Sequence, residues 1–162
     1  MEIDLEKEYV ELKKRYPKLP SFNEININFE LSIFEPRIAN NSLFARYMRK
    51  VCSSYMENFC SFLQNLLNPN PSFLLGISES KFFNEKDRAN LILITQQNMA
   101  LIRWASANTV IYKEEREIEA IIKFNDQMKK NKVTLQEIFN KLKEGWEKIR
   151  EQKKEEPGNY FG

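Results

Sequence analysis

From Ile38 to Leu67 apolar residues arrive in pairs four apart: Leu43-Phe44, Tyr47-Met48, Val51-Cys52, Tyr55-Met56 and Phe59-Cys60. Leu63 and then Leu66-Leu67 complete the run. Four residues turn an α-helix by about 400°, so the stripe advances about 40° per step and winds around the cylinder. A winding stripe cannot face one partner helix along its whole length. The segment therefore reads as a long central helix, about 38–67, that meets different neighbours at its two ends. Asn68-Pro-Asn-Pro71 closes it.

The rest of the chain supplies those neighbours. Leu5, Tyr9, Leu12 and Tyr16 recur at helical spacing behind Asp4, acids lead and Lys13 to Arg15 follow, and Pro17 stops the helix. Ser21 and Glu24 read as a capping box for a short helix to about Phe29, and Pro36 marks the next boundary. Residues 72–83 form an apolar connector, a short helix or turn expected to pack on the bundle. Asn84 caps a helix over about 85–107 that is apolar almost all round at Leu91 to Ile94 and at Met99 to Ala105, and so is expected to be buried. Ser106 to Thr109 bends or breaks it. Tyr112 to Lys130 reads as a more exposed helix. Thr134 and Glu137 then read as a capping box opening a separate last helix, with a stripe of Leu135, Ile138, Phe139, Leu142, Trp146 and Ile149. Pro157-Gly158 ends it, leaving 157–162 as a loose tail. With only four Gly and six Pro in 162 residues, and no internal repeat, the expected fold is all-α. It is an irregular bundle of roughly four to six helices in one domain, 1–162.

Histidine is absent. That excludes His-based acid–base catalysis, Ser-His and Cys-His nucleophiles, and every His-containing metal site. Two cysteines cannot build a four-thiolate zinc site, and the glycines stand singly, so there is no phosphate-binding loop. No cofactor is implied. Cys52 and Cys60 are about 12 Å apart along one helix, too far for a disulfide, which suits a reducing compartment. No basic, then apolar, leader is legible at the N-terminus, and the longest apolar run, Leu91 to Ile94, is far below a membrane span of ~20 residues. The expected location is cytoplasmic, away from membranes. A formal net charge of +2 draws the molecule to no polyanion as a whole.

Three groups of residues compete for a role. Arg46, Arg49 and Lys50 share a helical face, with Arg37 just upstream, and could contact nucleic-acid phosphates; the competing reading is a solvated face paired with Glu side chains. Gln96, Gln97, Asn98 and Arg103 interrupt the most apolar helix, and either line a polar pocket or form an internal network or solvent strip. Tyr160 and Phe161 form either a docking tail or a segment packed back on the bundle. Glu114, Glu115, Glu117 and Glu119 are spread around their helix as a solvated acidic face; Glu115 and Glu119 share a side and could contribute two carboxylates.

The stretch Leu12-Lys-Lys-Arg-Tyr-Pro-Lys-Leu-Pro-Ser-Phe-Asn-Glu-Ile25 resembles the opening of small uncharacterised helical proteins of archaea. In them a lysine-rich first helix runs through a Tyr-Pro-Lys-Leu-Pro-Ser-Phe turn into a capped second helix. The resemblance spans about the first 35 residues and implies a lineage with no assigned activity. The function expected is a non-enzymatic helical interaction module that binds another protein or itself. A nucleic-acid or ribonucleoprotein binder acting through the basic patch is the first alternative, and a carboxylate- and metal-dependent enzyme the second.

Overall fold

The computed structural model describes residues 4–31 and 43–155, with side chains to 152. It contains six helices among the described residues: α1 Leu5–Arg15, α2 Phe22–Phe29, α3 Phe44–Leu67, α4 Leu74–Ser80, α5 Glu85–Asn108 and α6 Glu114–Glu155. The expected start of the central helix near Ile38 falls in 32–42, outside the described residues.

Local chemistry sets the ends of these helices. Asp4 accepts from the Lys7 N–H at 3.1 Å, and Ser21 from the Glu24 N–H at 3.1 Å. Asn84 and Asp87 complete a reciprocal capping box. Glu30 ends α2 in the left-handed region, at φ 51°. The α1–α2 turn is tied from both sides. Lys13 Nζ donates to the carbonyls of Pro17 and Leu19, and the buried Tyr9 hydroxyl donates to the Pro20 carbonyl at 3.2 Å. The Arg88 guanidinium donates to the Leu67 carbonyl at 2.5 Å, satisfying one of the orphan acceptors at the end of α3.

Three long helices form the frame. α3 and α6 run parallel, as the pairs Arg46–Glu117 and Phe62–Phe139 show. α5 runs antiparallel to α6, matched at Asp87–Lys141, Asn98–Asn131 and Trp104–Lys123. α1 and α2 join the N-terminal halves of α3 and α6, while the residues around α4 close the other end. The winding stripe on α3 is therefore used as expected. From Phe44 to Cys60 it packs with Tyr9, Leu12, Ile25 and Phe29 of α1 and α2; from Phe59 to Leu67 it packs with Phe83, Leu91, Ile138 and Leu142.

Two expectations need correction. Residues 112–150 do not form two helices: α6 is one uninterrupted helix of 42 residues, roughly 63 Å long. Thr134 is an ordinary helical residue. No Gly or Pro breaks the run before Gly145, and the inward stripe Glu117, Ile121, Phe124, Met128, Asn131, Leu135, Ile138, Leu142 steps by 4 and 3 without a phase jump. A stripe in constant phase keeps the backbone helical through a weak local cap signal. α5 is also not buried all round. It buries Leu91, Thr95, Asn98, Ile102 and Ala105, and leaves Ile92 and Leu93 exposed, because α3 and α6 both lie on one side of it.

Cys52 and Cys60 are both free and buried. Burial pushes both thiols up; at Cys60, Glu57 adds to the rise and Asn98 opposes it. A thiol that is neither ionised nor exposed is a poor nucleophile. Ellman's reagent at pH 8 is thus expected to titrate no thiol in the folded protein and both in denaturant; one equivalent reacting at once in native buffer would contradict this burial.

Candidate functional site

The seam between α3 and α6 is filled by α2 in its N-terminal half and bridged at its far end by Glu79 and Phe82, which meet Trp146. In the filled half, α2 lies across both helices. Asn28 donates to Asn125 at 2.8 Å, Asn125 donates to Glu24 at 2.8 Å, and Lys129 pairs with Glu24 at 2.5 Å. Lys132 reaches the Ile27 carbonyl at 2.8 Å. Ile25 and Phe29 point inward, fully buried, and Phe29 meets Tyr55 edge-on with ring centroids 5.7 Å apart. Lys129, then Asn125, holds the Glu24 carboxyl below its usual range. This clasp therefore contributes above the ordinary carboxylate pKa and is lost as pH falls through the lowered one.

The same faces continue past the end of α2. Seven residues bring an α-helix back to nearly the same azimuth. On α3 the residue seven beyond Tyr55 is Phe62; on α6 the residue seven beyond Lys132 is Phe139. These two rings stack across the seam, centroids 5.8 Å apart at 27°. Phe139 nonetheless remains 54% exposed.

Beside Phe62 a pocket of about 470 Å³ lies between the end of α3 and α4, lined among others by Asn65, Leu66, Phe73, Gly76 and Glu79. Pro69 and Pro71 stop α3 and turn the chain so that α4 forms the pocket's wall. Phe73 sits against Gly76, where a Cβ would come within 2.8 Å of its ring. Trp146 of α6 donates its indole N–H to Glu79 at 3.0 Å and packs edge-on against Phe82. Phe82 lies directly on the α6 backbone at Gly145, where a Cβ would meet its ring at 2.4 Å. The connector 72–83 packs on the bundle as expected through Phe82 and Phe83. Phe73, Leu74 and Leu75 are instead all exposed, Leu74 to 76%. So short a helix cannot turn all of them inward.

The residues singled out from the sequence are placed differently. Arg46 and Arg49 turn inward, with side chains only 25% and 11% exposed. Their Nε atoms grip the two oxygens of Glu117, at 2.8 and 3.0 Å. Glu117 is 0% exposed, so the expectation of a solvated acidic face fails at this residue. Arg46 also donates to the Thr109 carbonyl at 2.7 Å and lies over the Tyr112 ring. Both Glu117 oxygens accept from guanidinium groups, and the carboxylate is closed to solvent. Lys50 alone of the described basic trio is exposed, and Arg37 lies outside the described residues. The polar quartet does not converge. Asn98 is buried and accepts from Asn131 at 3.0 Å, while Gln96, Gln97 and Arg103 face outward. Tyr160 and Phe161 lie outside the described residues. Among the described residues no three Cys, Asp or Glu side chains come together as a metal site. No helix among them is long and apolar enough to cross a membrane.

The exposed Phe62–Phe139 pair was not singled out from the sequence. Phe139 read as one more core position of the last helix. The signal for it lies in the heptad steps Asn125, Lys132, Phe139, which put an aromatic after two polar positions on the same face.

No known protein family, no curated protein and no solved structure matches this chain.

Proposed function

We propose that this chain is a helical docking module, working in a reducing, cytoplasmic setting, whose partner-binding surface is the exposed Phe62–Phe139 pair and the α3–α4 pocket beside it. The observation that carries the reading is the stacked Phe62–Phe139 pair, left half open to water where the same seam is elsewhere filled by α2. Exposed apolar surface beside a formed pocket is what a protein partner removes from water. Arg46 and Arg49, which a nucleic-acid reading requires at the surface, hold Glu117 instead.

The expected result for Phe139→Glu is a loss of at least tenfold in affinity for the apolar dye bis-ANS, with an unchanged far-UV spectrum. Because Phe139 is half exposed in a helix that accepts Glu readily, its thermal midpoint should stay within a few degrees of the parent. Equal dye binding by the folded variant would remove the Phe62–Phe139 pair as the docking surface.

A further inference from the structure

Resting on that docking reading, we infer that the α3–α4 pocket takes an arginine side chain of the protein partner. Most of its wall is apolar or aromatic: Phe62 and Leu66 of α3, Pro69 of the turn and Phe73 at the start of α4. Among the described lining residues Glu79 is the only charged one. Its Oε1 accepts the Trp146 indole N–H at 3.0 Å. That bond holds the carboxylate in place and leaves most of its acceptor positions unused. No Lys or Arg among the described residues pairs with Glu79. A lone, partly buried carboxylate beside two aromatic rings attracts a cation in two ways, through its own charge and through the negative ring faces.

The backbone favours the same charge. The pocket lies at the C-terminal end of α3, where the last carbonyls carry partial negative charge, and α3 has no basic residue in its last turn. The chain itself sets one guanidinium against this end. Arg88 donates to the Leu67 carbonyl at 2.5 Å and to the Ser80 carbonyl at 3.5 Å, without lining the pocket. Arginine suits the walls better than lysine. A planar guanidinium stacks on aromatic faces, is weakly hydrated and presents paired N–H groups to a carboxylate, whereas an ammonium is a compact, strongly hydrated point charge. The aliphatic stem of an arginine can lie on Leu66 and Pro69, while Asn65 offers an amide oxygen to the remaining N–H groups.

The test is selection of peptides from a displayed random library against the full chain. Enriched peptides should share an arginine. Replacing it by citrulline, which keeps the shape and loses the charge, should weaken binding at least tenfold. Glu79→Gln, which can still accept from Trp146, should cost the same on the chain's side. The two changes together should cost little more than either alone, because they remove one and the same contact. If Glu79→Gln proves poorly folded, Phe73→Ser at the exposed rim supplies the second arm of the cycle. Peptides that are lost on Phe73→Ser or Phe139→Glu, yet tolerate citrulline, show additive losses or share a lysine or only apolar residues, would overturn the arginine and leave the docking reading in place. No binders, or binders indifferent to all three variants, would overturn both. A Glu79-dependent dimer in sedimentation would make the occupant a second copy and overturn the inference.

Discussion

Glu117→Ala should destabilise the fold by about 3–5 kcal/mol, the cost of leaving buried charge without its partner. Two guanidinium groups converge on this carboxylate, and neither can regain full hydration: Arg49 is 11% exposed and Arg46 is held by Thr109 and Tyr112. In a domain of this size the loss corresponds to a fall in thermal midpoint on the order of 10 °C. Urea unfolding should show the midpoint moving at constant slope. Glu117→Gln keeps the shape and part of the hydrogen bonding, so it should fall between the parent and the alanine variant. Replacing Arg46, Arg49 and Glu117 together by apolar residues of similar volume should recover much of the loss, since the desolvation cost disappears with the charges. A change below 1 kcal/mol for the alanine variant would mean that the triad is not closed to water as described.

Val133→Pro should cost about 3 kcal/mol or more. Val133 is exposed, so almost nothing of this would come from lost packing; Val133→Ala serves as the control and should be near neutral. The effect would come from a missing N–H and a ring clash in the middle of α6. The outcome separates the two readings of residues 112–150. If Thr134 began a new helix, position 133 would lie just outside it and proline would be tolerated. In the continuous helix it interrupts the element that carries Glu117, Asn125, Phe139 and Trp146. Tolerance within 0.5 kcal/mol would restore the two-helix reading.

How far the sequence revealed all this depended on what each residue type signals. Caps were legible because Ser21 and Asn84 act within three residues of themselves. The division of α3 between two sets of neighbours was legible because its stripe winds. Glu117 was not, because a carboxylate in a run of four acids looks solvated. Its burial depends on Arg46 and Arg49, about 70 residues away, and only its place four before Ile121 on the inward stripe hints at it. Asn131 was missed for the same reason: its partner Asn98 lies on another helix. α6 was divided because a local cap signature at Thr134 and Glu137 was given more weight than the unbroken phase around it. The exposed pair escaped notice because hydropathy alone cannot tell a covered phenylalanine from an uncovered one; Phe59 and Phe139 differ only in what lies over them.

The two tryptophans give the most direct measurement of whether the Phe62–Phe139 pair and the pocket beside it take up apolar ligands. Trp146 borders the pocket through Glu79, whereas Trp104 sits under Lys123, roughly 35 Å away along α6. In a ¹⁵N-labelled sample titrated with bis-ANS, the indole N–H resonance of Trp146 should shift progressively and saturate, while that of Trp104 should stay in place. A shift confined to Trp104, or no shift of Trp146 at saturating dye, would contradict the assignment of the Phe62–Phe139 pair and the α3–α4 pocket as the docking surface.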